Sequence, residues 1–196
     1  MDQAHRAYYE ARAPEYDDWW LGRGLFAARD RPGWVEEVRE LETLLASLAP
    51  ARTLDVACGT GFLTRHLRGL VVGLDQSPTM CALAQHRLAD GVAVVGDALA
   101  LPFADRAFER VLAGHFYGHL VTDQREQFLS EARRVGRELV VVDSAGEPRE
   151  EWQDRRLNDG SRHRVYKRWF RGPALAAELG GGEVLHDGTW FVVVRA

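Results

Sequence analysis

Residues 53–61 read Thr-Leu-Asp-Val-Ala-Cys-Gly-Thr-Gly, an apolar run that closes in a glycine turn. Alternating Thr, Leu and Val suit a buried strand. Gly59 and Gly61 open backbone angles closed to residues with a Cβ, so the chain can lie directly against a ligand there. The stretch predicts a strand, a turn and a helix beginning near Phe62. Twenty positions beyond Asp55, the run Leu70-Val71-Val72-Gly73-Leu74 ends in Asp75. A carboxylate at a strand terminus can accept both hydroxyl protons of a ribose. Together the turn and the acid predict a site for a nucleotide-like ligand.

The glycine spacing separates two classes of such ligand. In the dinucleotide fingerprint G-x-G-x-x-G, the third glycine would fall at Thr64, and Asp55 would lie inside the strand. That weakens an NAD reading. The segment from Asp55 to Gly61 instead resembles D-x-[GA]-x-G-x-G, the first motif of the class I S-adenosylmethionine-dependent methyltransferases, and matches it at every fixed position. Gly73-Leu74-Asp75-Gln76-Ser77-Pro78-Thr79-Met80 resembles the family's second-strand motif, and Gly96-Asp97-Ala98-Leu99-Ala100-Leu101-Pro102-Phe103 the segment after its third strand. Phe108-Glu109-Arg110-Val111-Leu112-Ala113-Gly114-His115 is similar to its fourth strand. The four motifs occur in order over residues 50–145, and the closest resemblance is to the small-molecule type that includes ubiquinone and menaquinone methyltransferases. The fold this implies is α/β and Rossmann-like: a doubly wound, mostly parallel seven-stranded sheet with helices on both faces and an antiparallel C-terminal strand.

Composition fits that expectation. A chain of 196 residues, 46% of them hydrophobic, can bury the core of one α/β domain. The expected organisation is a single domain over 1–196, with an N-terminal lid segment at 1–34 and an acceptor-side insert at 144–172. A net charge of -4 gives no general attraction to nucleic acid. Residues 1–6 lack the apolar core of a signal peptide, and no run of about eighteen apolar residues suggests a membrane span. A cytoplasmic location and no membrane partner are therefore expected; a monomer and a homodimer stay equally open. Cys58 and Cys81 read as buried thiols in a reducing compartment.

The remaining elements follow from periodicity and punctuation. Val35, Val38, Leu41, Leu44, Leu45 and Leu48 form one helical stripe ended by Pro50. Ser77-Pro78 reads as a cap and first turn of a helix running to about residue 89. Strands are expected at 92–95, 138–143 and 189–195, and helices at 123–134, opened by a capping box, and at 173–179.

The resemblance implies a set of cofactor contacts. Ala57, Cys58, Gly59 and Gly61 would line the amino-acid part of S-adenosylmethionine, and Asp55 would hold its ammonium through water or orient the turn. Asp55 accepting bonds from loop groups is an equally good reading. Asp75 would bind the ribose, with Gln76 and Met80 against the adenine. Asp97, Ala98 and Leu99 would face the adenine edge. Residues 8–20 hold five aromatics in thirteen positions and resemble a lid: Tyr8 and Tyr16 are candidates for cofactor contact, Trp19 and Trp20 for the acceptor roof, with a hydrophobic clasp as the alternative.

Methyl transfer asks little acid–base chemistry, because the sulfonium is already activated and alignment supplies most of the acceleration. His115 and His119 follow the fourth strand, where parallel sheets gather their ligands. Either is a candidate base for a hydroxyl acceptor, His115 with a cofactor contact as well, and Tyr117 is a further pocket candidate. Tyr166 and Trp169, interleaved with arginines, are candidates for acceptor binding. No metal is expected: the two histidines lack the glutamate of H-E-x-x-H, and Gly114 stands where catechol-type relatives place an acidic ligand. The expected function is metal-independent in-line methylation of a small molecule, on oxygen ahead of nitrogen or carbon. The alternatives are a protein that binds the same cofactor for another reaction or for regulation, and an NAD-dependent oxidoreductase.

Overall fold

The structure is a computed structural model that describes residues 3–196, with side chains from His5 onward. The chain opens with α1 (Gln3–Arg12), a 3-10 turn (Ala13–Glu15), α2 (Asp18–Leu21) and a second 3-10 turn (Gly24–Phe26), followed by α3 (Trp34–Ser47). Then come β1 (Thr53–Val56), β2 (Val71–Asp75), α4 (Pro78–Gln85), β3 (Val92–Val95) and β4 (Arg110–Gly114). The chain continues through α5 (Thr122–Val135), β5 (Glu138–Ser144), β6 (Arg149–Arg156), β7 (Arg162–Trp169), α6 (Gly172–Glu178), β8 (Glu183–Asp187) and β9 (Phe191–Arg195).

Seven strands form one sheet in the order β3-β2-β1-β4-β5-β9-β8, and β6 and β7 pair separately as a hairpin. The strands β1 to β5 run parallel, while β9 is antiparallel to both β5 and β8. Strand order reverses between β1 and β4, the point where an open α/β sheet leaves a crevice at its carboxyl edge. The expected doubly wound architecture is thus present, antiparallel strand included.

Alternation along the strands explains why both faces are covered. Val111, Ala113, Leu139, Val141, Val192 and Val194 pack with Phe128, Ala132 and Val135 of α5 and Leu175 of α6. Their neighbours Leu112, Val140, Val142, Phe191 and Val193 pack against Trp34, Val38, Leu41 and Leu45 of α3. Near-continuous Val/Leu runs are what a strand buried on both sides requires.

One expected element is absent. No α-helix follows the glycine turn; Thr64–His66 is a 3-10 turn, and Phe62 and Leu63 enter the core without helical structure. Ala57, Gly59 and Gly61 carry positive φ, at 57, 55 and 77°, in the turn before this segment, and Gly69, at 98°, closes it, so only a short stretch is left between two turns, and short helices are marginal. Downstream boundaries are close to expectation. Ser77 Oγ accepts from Met80 N at 3.0 Å with Pro78 in the first turn, although α4 stops at Gln85 rather than near residue 89. The helix α5 opens one residue earlier than the capping-box reading, with Gln124 Oε1 accepting from Val121 N at 3.3 Å. Strand β8 and the split of residues 149–169 into two paired strands are additions that the sequence pattern did not resolve. Among the described residues, no helix is long and apolar enough to cross a membrane.

Candidate functional site

The carboxyl ends of β1, β2, β3 and β4 lie along one edge of the sheet, and a narrow cleft of about 30 Å³ follows them. Ala57 and Gly59 from the first turn, Asp75 and Gln76 from the second strand's end, Met80 of α4, Ala98 after the third strand and His115 after the fourth all line it. Tyr16 closes the far wall. Eight residues expected at the cofactor from scattered sequence positions are therefore brought together in one place.

Asp75 is the polar centre of that cleft. Its carboxylate accepts from Gly59 N at 3.0 Å and from Ser77 N at 2.9 Å. Burial pushes the Asp75 carboxyl up to about 6, against those amide bonds. Each carboxylate oxygen can accept more than one bond, so capacity for a ribose remains. The close approach at Gly59 is visible too: a Cβ there would sit 3.2 Å from the Tyr16 ring.

Asp55 lies one layer deeper and does not line the cleft. The Thr64 hydroxyl donates to its Oδ2 at 2.5 Å, while Oδ1 is buried and has no partner among the described residues. Burial raises this carboxyl to about 7. A buried acceptor without a donor is costly, which suits a group that completes its bonding through a ligand or a water behind the glycine turn.

Besides Asp55, five expected cofactor residues are not at the cleft, each for a packing reason. Cys58 is turned to the sheet, since a Cβ on Gly73 would meet its sulfur at 2.9 Å. Gly61 faces α4 and a Cβ there would sit 3.1 Å from Ala84 Cα. Leu99 is core. Asp97 is exposed, with its Oδ1 accepting from Leu99 N at 2.9 Å in a local turn. Tyr8 instead faces a second cavity, and its neighbour Tyr9 takes the place over the cleft. Tyr9 was missed because both tyrosines sit in one helix, and only the docking of α1 decides which ring faces inward.

That docking is specific. Glu10 accepts from the hydroxyls of Ser77 and Thr79 at the amino end of α4, where the helix dipole favours an anion. Asp17 accepts from Thr60 Oγ1 at 2.5 Å and pairs with Arg87. The aromatic segment is thereby fixed across the glycine turn.

The second cavity, of about 660 Å³, lies between this N-terminal segment and the β6–β7 hairpin. Tyr9, Tyr16 and His115 line both cavities. Trp19, Trp169 and His119 line the larger one, as expected of acceptor-side residues. Three expected contacts do not reach it. Trp20 is buried, stacked on Phe62 at 4.8 Å with its carbonyl accepting from Trp34 Nε1. Tyr117 is fully buried in the core and its hydroxyl donates to Glu178 at 2.9 Å. Tyr166 donates its hydroxyl to Glu150 at 2.6 Å on the hairpin. In each case a large ring found a better-packed position than the cavity wall.

Burial disfavours the charged form of both histidines. His115 has φ of 52°, a left-handed conformation uncommon outside glycine, and donates its backbone N–H to Val142 O at 2.7 Å. Its Nε2 is buried without a partner among the described residues. Burial, reinforced by Lys167, Arg155 and Arg12 and opposed by Asp143, lowers His115 to about 3. Burial likewise holds His119 well below its ordinary value. The His119 Nδ1 lies 2.6 Å from Tyr166 O; a carbonyl only accepts, so Nδ1 carries the proton.

Comparison with known proteins places these features among relatives. Residues 54–139 match the family described as a methyltransferase domain. The demethylmenaquinone methyltransferase of Thermotoga maritima is 37% identical over 107 residues, covering 52% of this chain and 44% of that protein. The enzyme of the same name from Thermus thermophilus is 37% identical over 149 residues, covering 70% of this chain and 64% of its own. The chain thus spans from under half to just under two thirds of the length of these curated relatives. The fold is shared with the protein of the DhpI-SAM-HEP complex at a TM-score of 0.79 and 24% identity, over 100% of this chain and 98% of that one.

Proposed function

We infer that this chain, whose residues 54–139 match a methyltransferase domain family, is a class I methyltransferase that transfers a methyl group from S-adenosylmethionine to a small molecule. The observation that carries the reading is that two neighbouring cavities share His115, Tyr9 and Tyr16 as lining: a cleft with a ribose-type carboxylate lies beside a chamber of small-molecule size. Bound S-adenosylmethionine supplies an activated methyl group. Gly59, Asp75, Gln76, Met80 and Ala98 would hold it, and Asp55 would complete the turn behind its amino-acid end. The α1 segment, clamped through Glu10 and Asp17, lies over this narrow cleft and would exclude water from the methyl group once the cofactor is bound.

The chain's contribution to rate is alignment. A base works best when its pKa lies near the working pH, and His115 at about 3 is far below it. His115 is better suited to shaping the junction than to taking a proton, with the larger chamber setting the acceptor's approach. Oxygen remains the preferred acceptor atom, through a group that does not depend on a histidine for deprotonation.

A base and an aligning residue predict different behaviour. Removal of a true general base lowers kcat by about 10²–10⁴-fold. His115→Gln is expected to lower kcat at saturating substrates by less than about tenfold, and its pH profile should keep the parent's shape between pH 5 and 9. A lost inflection in the variant would restore the general-base role. The overall function is tested by incubating the protein with methyl-labelled S-adenosylmethionine and a metabolite extract: a labelled small product is expected, and its absence, with only protein or nucleic acid labelled, would overturn the small-molecule reading.

A further inference from the structure

The larger chamber is far more basic than a chain of net charge -4 predicts: six basic side chains line it against two acidic ones. Four of the six, Arg12, Arg29, Arg31 and Arg155, come from α1, the loop ahead of α3 and the β6 strand of the hairpin. Among the described residues none of these four guanidinium groups has a carboxylate within ion-pair distance. Each offers five N–H donors, yet few are used. Arg12 donates to Tyr8 Oη at 2.9 Å, Arg31 to the Trp19 carbonyl at 3.0 Å and Arg155 to Gln153 at 3.1 Å. The Arg29 side chain makes no hydrogen bond among the described residues. Aromatic faces hold the planes in place instead: Arg12 lies over Tyr16 at 4.9 Å, Arg29 over Phe26 at 4.7 Å and Arg31 over Trp34 at 3.9 Å.

Such a cluster repels itself. Burial, then Arg155 and Arg12, lower the pKa of Arg29, and burial followed by Arg29 lowers that of Arg31. Arg12 is 8% exposed, uses one of its donors and lies over the Tyr8 and Tyr16 rings, and a buried cation without a counter-charge costs stability unless an anion answers it. The two acidic residues of the wall do not provide that answer. Asp154 forms no ion pair among the described residues, and Glu15 accepts from Asn158 N at 2.8 Å. Lys167, the buried cation at the floor, is already matched by Asp143.

We propose that the methyl acceptor is an oxyanion-bearing small molecule, a phosphonate, phosphate or carboxylate, held in this chamber by Arg12, Arg29, Arg31 and Arg155. Guanidinium forks suit such groups by bidentate hydrogen bonding. An anionic oxygen also arrives with no proton to lose, which suits a junction whose histidines are weak bases. The proposal rests on the methyltransferase reading for the word acceptor, and on the chamber alone for the anion. It separates this chain from the quinone substrates named for its relatives, which carry no such charge.

The test is calorimetric and has two stages. S-adenosylhomocysteine is titrated first, which reads the cofactor site by itself. Phenylphosphonate, phenyl phosphate, benzoate, benzyl alcohol and 1,4-naphthoquinone are then titrated into the protein, with and without S-adenosylhomocysteine. At least one of the three anions should bind tenfold or more tightly than either neutral probe, more weakly as salt rises, and the order among the anions identifies the oxyanion class. The variant carrying Arg29→Gln and Arg155→Gln, both changes outside the cofactor cleft, should lose at least tenfold of that affinity while binding S-adenosylhomocysteine within about twofold of the parent. Equal or tighter binding of the neutral probes, or an anion affinity unmoved by the double substitution, would overturn the proposal. Failure of S-adenosylhomocysteine to bind would remove the methyltransferase reading and leave the anion result to stand or fall by itself.

Discussion

Replacing Lys167 by methionine should lower the free energy of unfolding by about 3–5 kcal/mol, the cost typical of stranding one partner of a buried ion pair. Lys167 Nζ donates to Asp143 Oδ1 at 2.6 Å, and the two side chains are 5% and 0% exposed. Asp143 also accepts from Gly118 N and Ser144 N, each at 2.7 Å. Burial opposes the Asp143 charge, but Lys167 and these amides outweigh it and hold the carboxyl below its ordinary range. Without the ammonium that balance reverses, and the aspartate must either stay charged and unpaired or take up a proton. The sign of the pH dependence follows. In the parent, a depressed Asp143 contributes stability that is present above the unfolded carboxyl value and lost as pH falls through the folded one. In the variant that contribution disappears, so the deficit is largest near neutral pH and shrinks in acid. Urea unfolding of Lys167→Met at pH 7.5 and pH 4.5 measures both effects. A loss under about 1 kcal/mol at pH 7.5 would mean that the pair does not hold β7 and the turn before α5 onto the end of β5.

The second large effect concerns affinity. Asp75→Ala should weaken S-adenosylhomocysteine binding by about tenfold to a hundredfold, since a hydrogen bond to a charged group contributes about 1.5–3 kcal/mol. Folding should survive, because removing a buried carboxylate also removes its desolvation cost; Asp75→Asn serves as the isosteric control. A free-state pKa of about 6 adds a pH signature. The ribose is bound by the ionised form, so affinity falls as pH drops through that value, by about tenfold between pH 7.5 and pH 5. Asp75→Asn has no such group and should lose the slope. Unchanged affinity in both variants would take the ribose role away from this residue.

These expectations trace how far a sequence of this kind can be read. The sheet was legible because double burial leaves unbroken runs such as Leu139-Val140-Val141-Val142, and because the glycine turn and Asp75 sit at fixed strand ends. The helix after the turn was not, because Gly69, left-handed in the structure, closes the segment soon after the glycine turn, and a short run of helix-compatible residues does not reveal that in the sequence. In the candidate site, residues held by backbone position were legible: Gly59, Asp75, Gln76, Ala98 and His115 line the cleft whatever their rotamers. Residues that reach a site by choosing a face were less so. Tyr9 takes the place expected of Tyr8, Trp20 packs inward while Trp19 alone reaches the chamber as expected, and Tyr117 and Tyr166 turn to Glu178 and Glu150. The arginine cluster was hidden for a different reason, since Arg155 is far in sequence from Arg12, Arg29 and Arg31 and only tertiary folding sets it beside Arg29.

Histidine was where composition misled most. Two imidazoles after the fourth strand suggest a base at neutral pH, but the same packing that places His115 at the junction of the cavities also removes the water that would stabilise its charge. Position and basicity are set by one cause and work against each other.

The edge formed by Gly59, Asp75 and Ala98 is proposed as a site for S-adenosylmethionine rather than for a dinucleotide. Isothermal titration of the full chain with S-adenosylhomocysteine and, separately, with NADH distinguishes the two. Saturable, one-to-one binding of S-adenosylhomocysteine is expected, with NADH at least about a hundredfold weaker; tight NADH binding with no response to S-adenosylhomocysteine would overturn the assignment.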